Sequence, residues 1–313
     1  MENKKCIKTS IGGQAVLEGV MMKGPDYIAT SVRKKSGEII VDKQPVNAVI
    51  KKNKLAKLPI VRGVVNFIQS MVLGVKTLML SADLYDFEED EATYEPSKFD
   101  LWLEKVFKNK DAVIYTSVVL ALFLSVALFI FLPAFITRLV TPFIPLDFVK
   151  SLIEGVVRMA IFVAYVLLVS QTKEIKRVFQ YHGAEHKSIA CYEHGEELTV
   201  ENVRKYSRFH PRCGTSFLIE VMIIGIIVFS FVTWSNLALR IVIKLALLPL
   251  VAGLAYEFIK FAGRCDNKLM RALSAPGLWL QRITTKEPDD EQIEVAIRSL
   301  TEVIPENEED AKW

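Results

Sequence analysis

The feature that most constrains this fold is an apolar run from Ala112 to Leu132, which holds 21 residues without a charged side chain. At a helical rise of about 1.5 Å per residue, such a run crosses a hydrocarbon core of about 30 Å. Three further windows of similar length follow, at 152–170, 217–234 and 237–259. A hydrophobic content of 51% agrees with a chain that uses lipid as part of its solvent. The sequence predicts a mainly α, polytopic membrane protein with about four transmembrane helices.

Two other stretches have the pattern of amphipathic helices. The stretch from Leu58 to Leu84 is apolar, but polar residues such as Arg62 and Lys76 interrupt it at intervals that leave a polar and an apolar face. We expect it to lie in the membrane interface. In the stretch from Asp289 to Val303, apolar residues recur at helical spacing. This pattern predicts a short helix that docks on the cytoplasmic part of the protein or binds a partner.

The distribution of Lys and Arg predicts the orientation, because cytoplasmic segments retain the excess of positive charge. The first 111 residues hold eighteen basic residues, and 133–150 holds two. The segment 171–216 holds eight, the short 235–237 turn none, and 260–313 eight. This alternation places both termini and the central loop in the cytoplasm. A crossing at 58–84 would move many of these charges outside, which is a further reason to expect that stretch in the interface.

The residues that flank the predicted spans differ in character. Residues 11–46 contain seven glycines or prolines between short β-prone runs and predict a small strand-and-turn unit. We therefore divide the chain into an N-terminal cytoplasmic unit, an interfacial helix with an acidic linker, a first transmembrane pair, a histidine-rich loop, a second transmembrane pair and a C-terminal part. Their bounds are 1–57, 58–111, 112–170, 171–216, 217–259 and 260–313.

Composition also excludes several classes of protein. The net charge is +3, and no basic stripe indicates nucleic-acid binding, so the bilayer is the expected partner. The four cysteines lack a paired spacing, which argues against a disulfide framework and favours a reducing compartment. No apolar segment of signal-peptide length occurs near Met1, so we expect no export by a cleaved signal. The expected location is the plasma membrane.

The histidines of the chain are clustered. All four lie between His182 and His210, inside a 29-residue window of the predicted central loop. Within it, residues 182–186 read H-x-x-E-H, which places His182 and His186 on one face of a helix, where both can bind one metal ion. In metallopeptidases with this order of residues, the glutamate accepts a proton from the attacking water. Glu185 is therefore the predicted general base.

A catalytic metal site of this kind needs a third protein ligand and an open fourth position. Candidates in the same loop are Glu193, His194, His210 and Cys213, and Glu220 and Glu257 lie at predicted membrane boundaries. We prefer His210, because it and Cys213 flank a proline-stiffened turn just before a predicted span, and Glu193 comes next. Cys213 is either a ligand or a small buried side chain. Thiolate with imidazole favours zinc, whereas carboxylate with imidazole also admits iron or manganese.

Four motifs carry a resemblance over nearly the whole chain, at Gly12–Met22, Tyr181–Lys187, His210–Phe217 and Pro276–Gln281. With these motifs the chain resembles the YqhQ-like bacterial membrane proteins, a domain-of-unknown-function family whose members carry the label of predicted metal-dependent enzymes. The resemblance implies a bacterial plasma-membrane protein. It implies no substrate, and it maps a metal site onto His182, Glu185, His186, His210 and Cys213.

Two hypotheses for the function follow. The first is a membrane-embedded, metal-dependent hydrolase with its site at the cytoplasmic face, acting on membrane proteins, peptides or lipid head groups. It would use His182, His186 and His210 as ligands of a divalent transition metal, with zinc favoured, and Glu185 as base. The alternative is a non-enzymatic scaffold or assembly factor for membrane proteins, with or without a structural metal. Its basis is the amount of chain outside the spans, which offers docking surfaces.

Overall fold

A computed structural model describes residues 7–46, 58–85, 110–140, 142, 144, 146–211, 213–232, 237–264 and 268–311. The strands are β1 (Gly12–Val16), β2 (Gly19–Lys23), β3 (Tyr27–Arg33) and β4 (Ile39–Pro45). The first helices are α1 (Val61–Tyr85), α2 (Lys110–Val126), a π-helical turn (Ala127–Phe131), α3 (Leu132–Val140) and α4 (Asp147–Val169). They are followed by α5 (Lys173–Glu193), α6 (Val200–Arg204), α7 (Gly214–Ser230), α8 (Leu237–Arg264), α9 (Lys268–Thr284), α10 (Asp290–Thr301) and a 3-10 turn (Glu308–Ala311).

The chain forms two compact units. The first comprises Met1–Asp86, Val166–Ile224 and Ala246–Trp313, and the second comprises Phe87–Tyr165 and Gly225–Leu245. The histidine cluster and the N-terminal sheet belong to the first unit.

The N-terminal strands form an antiparallel sheet in the order β1-β2-β3-β4. A two-residue turn joins β1 to β2, because Val16 pairs with Gly19, and Glu18 in this turn has a φ of 48°. Since side chains alternate along a strand, the sheet has two covered faces. One packs against α5 and α10, and the other packs against α1. The predicted strand-and-turn unit is confirmed.

Helix α1 has two faces of different character. On its protein side, the Gln14 amide donates to the Gly74 carbonyl oxygen at 3.2 Å, and the Ser81 hydroxyl accepts from the Leu17 backbone N–H at 3.2 Å. Nearer its start, Arg62 pairs with Glu257 of α8. The other face exposes large apolar side chains at helical spacing, namely Ile68, Met71, Val72, Val75, Leu78 and Met79. A helix with one protein-bound face and one exposed apolar face is suited to contact with lipid.

Within the described residues, four helical segments are long and apolar enough to cross a membrane: Val61–Tyr85, Val119–Val140, Asp147–Val169 and Val242–Phe261. The predicted architecture is confirmed, but the set of helices differs. The window predicted at 217–234 forms α7, whose 17 residues extend only about 26 Å. It ends at Ser230, because the next two N–H groups bond three residues back. Conversely, α1 qualifies as a span by length and composition, so its interfacial position stays a prediction.

In the second unit, the first predicted span continues beyond Leu132 as far as Val140. Proline normally interrupts a helix, because it has no N–H and its ring collides with the carbonyl four residues earlier. Here a π-helical turn precedes Pro133, and the Leu132 N–H donates to the Ala127 carbonyl oxygen, five residues earlier. The helix therefore continues through the proline. Pro133 has no N–H to donate to the Phe129 carbonyl oxygen. This oxygen instead accepts a hydrogen bond from Arg158 at 3.0 Å. The backbone irregularity is therefore stabilised by a side chain of α4.

Replacement of Arg158 by methionine is expected to lower the melting temperature of the purified protein in detergent. The guanidinium also pairs with Glu154 at 2.7 Å, so its loss leaves a carbonyl without its donor and a carboxylate with only Lys244, at 3.4 Å. Removing one partner of a fully buried pair costs about 3–5 kcal/mol, and because the Arg158 side chain is 28% exposed the expected loss is smaller. The control is Lys150→Met, which breaks an exposed pair with Asp147. An equal effect of both substitutions would contradict the role assigned to Arg158.

Candidate metal centre

Helix α5 carries the H-x-x-E-H motif in its buried second half. All residues from Tyr181 to Ile189 are buried, because this part of the helix packs against the sheet and α10. At Gly183 the chain that follows α9 approaches so closely that a Cβ atom would lie 2.0 Å from the Lys286 carbonyl oxygen. Only glycine allows this approach. The motif is therefore held between the sheet on one side and the C-terminal segment on the other.

Backbone carbonyls orient the two motif histidines. Nδ1 of His182 lies 2.8 Å from the Thr284 carbonyl oxygen, and Nδ1 of His186 lies 2.6 Å from the Arg208 carbonyl oxygen. Because these contacts place the proton of a neutral imidazole on Nδ1, each Nε2 is left as a potential metal ligand. Such a carbonyl partner is typical of histidines that bind metals.

The third member of the group is Cys213. Its sulfur lies 3.1 Å from Nε2 of His182, and one ligand atom from each of His182, His186 and Cys213 lies within 4.8 Å of the others. Two imidazoles and one thiolate form a donor set suited to zinc, with a fourth position for water or substrate. Nε2 of His186 is buried and has no hydrogen-bond partner among the described residues. A buried nitrogen without a partner is costly, and a metal ion would satisfy it.

The charges of this group favour the protonation state of cysteine that a metal ion requires. Burial alone would raise the pKa of Cys213, but the charges of His182 and His186 hold it well below its usual value. Burial likewise opposes a charge on His182, but the Cys213 thiolate and Glu185 raise its pKa to about 9. A thiolate facing an imidazolium results, and a metal ion would replace the imidazolium proton.

Glu185 lies at the edge of this group. One oxygen, Oε2, is 3.9 Å from Nε2 of His182 and has no hydrogen-bond partner among the described residues. The Gly13 backbone, in β1, lies close to the Glu185 side chain and favours the charged form of its carboxylate. Burial raises the pKa of Glu185 above its usual range, although both motif histidines oppose this. A carboxylate with a raised pKa beside the ligand atoms is suited to accept and return a proton.

The other predicted ligands lie outside the three-residue group. His210 is a neighbour of His186, with ring centroids 5.5 Å apart, and its Nε2 lies 3.9 Å from Glu193. Glu193 accepts hydrogen bonds from the backbone N–H and the hydroxyl of Thr9, at 2.7 and 2.9 Å. His194 packs against Tyr206 and is exposed.

The two carboxylates expected near the membrane boundary are also absent from the group. Glu220 is buried in α7, and Glu257 is engaged with Arg62. The structure thus brings Cys213, one of the predicted candidates, together with His182 and His186, whereas the preferred His210 lies outside this group, and the third ligand stays a prediction.

Several groups that shape the site are backbone atoms, which leave no side-chain signal in a sequence. The carbonyls of Thr284 and Arg208 and the backbone of Gly13 belong to this class. One side chain was also missed. Gln281 of α9 accepts from the His210 N–H at 2.8 Å and donates to the His210 carbonyl at 2.7 Å, which fixes the turn before Cys213.

Comparison with known proteins places the chain in a family. It is 38% identical over 309 residues to the uncharacterized protein YqhQ of Bacillus subtilis (strain 168), which covers 96% of this chain and 94% of that protein. No solved structure matches the chain. Residues 58–306 match the family described as protein of unknown function (DUF1385). The resemblance seen in the sequence motifs is thus confirmed, and the chain belongs to the DUF1385 family.

Proposed function

We propose that this protein is a membrane-embedded, metal-dependent hydrolase with its site at the cytoplasmic face. The observation that carries the proposal is the convergence of three donor atoms, from His182, His186 and Cys213, beside a carboxylate that has an unpartnered oxygen. The lysine and arginine distribution supports a cytoplasmic site, since the segment that bears it holds eight basic residues. Candidate substrates are molecules at that face: membrane proteins, peptides or lipid head groups.

His182, His186 and Cys213 would hold the ion, and zinc is favoured by the mixture of thiolate and imidazole. When bound, zinc supplies Lewis-acid activation of water and of a carbonyl or phosphoryl oxygen. The protein contributes the rest. The carbonyls of Thr284 and Arg208 keep both imidazoles in the tautomer that leaves Nε2 available. Burial of the group excludes bulk water and strengthens its electrostatic interactions.

Glu185 would act as the general base and then as the acid. Its Oε2 would take a proton from water during attack and deliver it to the leaving group afterwards. Its unpartnered Oε2 lies 3.9 Å from Nε2 of His182, close to the ligand atoms. Because glutamine has nearly the same volume, Glu185→Gln is the appropriate variant: it removes the base and leaves the packing.

The test uses incorporation of oxygen from labelled water, which detects hydrolysis whatever the substrate is. Purified protein is incubated with a bacterial membrane extract in H2¹⁸O, and labelled products are found by mass spectrometry. We expect Glu185→Gln to retain bound metal and to lower the yield of labelled product by about 10²–10⁴-fold. Glu193→Gln, a nearby buried acid held by Thr9, is the matched control and should retain both properties.

Two outcomes would contradict the proposal. If Glu185→Gln forms as much labelled product as the wild type, Glu185 is not the base. If the wild type binds metal but forms no labelled product, the group is a structural metal site, and the scaffold hypothesis gains support.

A further inference from the structure

A polar cleft lies beside the candidate metal centre, between α1 and the first two strands. Its volume is about 270 Å³, and its lining includes Ser10, Gly12, Gln14, Lys23, Ser70 and Leu73. The cleft exists because α1 covers only part of the sheet: the Gln14 side chain reaches across to Gly74, and the two neighbouring glycines of β1 add no side chain. It is large enough for a small polar group but not for a folded domain.

The wall of this cleft touches the proposed base. Gly13 lines the cleft, and a Cβ atom at this position would lie 2.9 Å from Cγ of Glu185. At Gly12, by contrast, a Cβ atom would meet no heavy atom within 4 Å, so the space beside it is open. A group in the cleft is therefore separated from Glu185 by only the backbone of β1.

One cationic side chain, Lys23, lines the cleft. The part of the chain that the structure describes places no carboxylate within ion-pair distance of its ammonium group, and burial lowers the pKa of Lys23. A partly buried ammonium without a counter-charge is unfavourable, and a bound anion would relieve this cost. The hydroxyls of Ser10 and Ser70 and the amide of Gln14 add groups that can hydrogen-bond to oxyanions.

The position of α1 indicates where this anion comes from. Ser70 and Leu73 of α1 line the cleft, while the neighbouring Met71, Val72 and Val75 expose more than half of their surface on the opposite side of the same helix. In a membrane protein, this apolar face is suited to lie among acyl chains. If this face lies among acyl chains, the cleft is about one helix diameter, about 10 Å, from them, within reach of a lipid head group.

We propose that the cleft between α1, β1 and β2 binds the anionic head group of a membrane lipid, with Lys23 as its counter-charge. The inference goes beyond the proposed function, because it adds a lipid-binding cleft that the backbone of β1 separates from the candidate metal centre. Head groups carry the oxyanion that Lys23 lacks, and their acyl chains can follow the exposed face of α1. An extended peptide would also supply a carboxylate, but it has no acyl chains to pack against the exposed apolar face of α1.

The test measures binding of dihexanoyl phosphatidic acid, a short-chain lipid, to the full chain in maltoside micelles by calorimetry. We expect Lys23→Met to weaken binding by about tenfold or more, since it removes a charge-assisted hydrogen bond. Gly12→Phe, which fills open space, should abolish binding. Lys43→Met is the matched control, because Lys43 lies on β4 and is paired with Glu302. This control should bind as the wild type does.

Three results would overturn the proposal. The first is that all variants bind the lipid as tightly as the wild type does. The second is that the wild type binds inorganic phosphate as tightly as the lipid, which would identify a soluble anion, and the third is that it binds a short peptide with a free carboxylate more tightly than the lipid. The double variant His182→Ala/His186→Ala separates this inference from the proposed function. This variant should bind the lipid as the wild type does and bind no zinc. Loss of zinc binding would then test the proposed function alone, and loss of lipid binding would test the present inference alone.

Discussion

Replacement of Cys213 by serine is expected to lower the affinity for zinc by about 100-fold or more, because second-sphere changes alone cost about 10–100-fold and this change removes a direct ligand. Serine keeps the size of the side chain, and its hydroxyl is a much poorer zinc ligand than a thiolate. The sulfur lies 3.1 Å from Nε2 of His182 and is the only thiol of the three-residue group. Zinc content is measured by elemental analysis of detergent-purified protein that carries no metal-binding tag.

The matched variant is His210→Ala, which changes the other residue of the same turn. Since His210 faces Glu193 and lies outside the three-residue group, this protein should retain about one equivalent of zinc. If His210→Ala loses the metal and Cys213→Ser keeps it, the ligand set is wrong, and the preference drawn from the sequence is right. A wild type without metal after reconstitution with zinc would remove the metal centre altogether.

The second large effect is expected at Gly183, where alanine should lower the stability of the protein by about 3 kcal/mol or more. Its Cβ atom would lie 2.0 Å from the Lys286 carbonyl oxygen, and that segment is fixed by a hydrogen bond from the Lys286 N–H to the Phe179 carbonyl. Either α5 or the segment after α9 must move. The loss corresponds to a melting temperature lower by roughly 6–12 °C, measured in detergent.

The control for this substitution is Gly12→Ala, at a position where a Cβ atom meets nothing within 4 Å. It should leave the melting temperature unchanged or slightly higher, because alanine reduces the freedom of the unfolded chain. Gly183→Ala should also lose zinc, since the displaced segment carries the carbonyl that orients His182. A melting temperature equal to that of the wild type would show that α5 and the Lys286 segment can separate at little cost.

The pair His182 and His186 was predictable from the sequence, because helical periodicity alone places residues four apart on one face. The sequence left the choice of a third group between His210, Cys213 and several other candidates. His210 and Cys213 lie three residues apart on one turn, and the side chain that faces α5 depends on the path of that turn. Gln281, 71 residues later in the chain than His210, fixes this path through two hydrogen bonds. Local patterns carry no information about such a partner.

The fold shows the same division between local and distant causes. The glycine-rich strands and the C-terminal helix α10 were predicted from periodicity and turn residues. In the structure, Asp289 caps α10. The full length of the first span was not predicted, because a proline such as Pro133 normally ends a helix. Continuation to Val140 depends on the π-helical turn and on Arg158, which lies 29 residues away from Phe129.

The origin of the carbonyl that orients His182 has a consequence for biosynthesis. Thr284 follows His182 by 102 residues, and α8, a candidate membrane span, lies between them. While the ribosome is still making α9, the two histidines and Cys213 already exist, but one imidazole lacks its orienting group. Under the proposed function, a nascent chain that has not yet inserted α8 and docked α9 would therefore be a poor zinc acceptor. Metal loading would be a late event, and a product truncated before Thr284 would lack the carbonyl that orients His182.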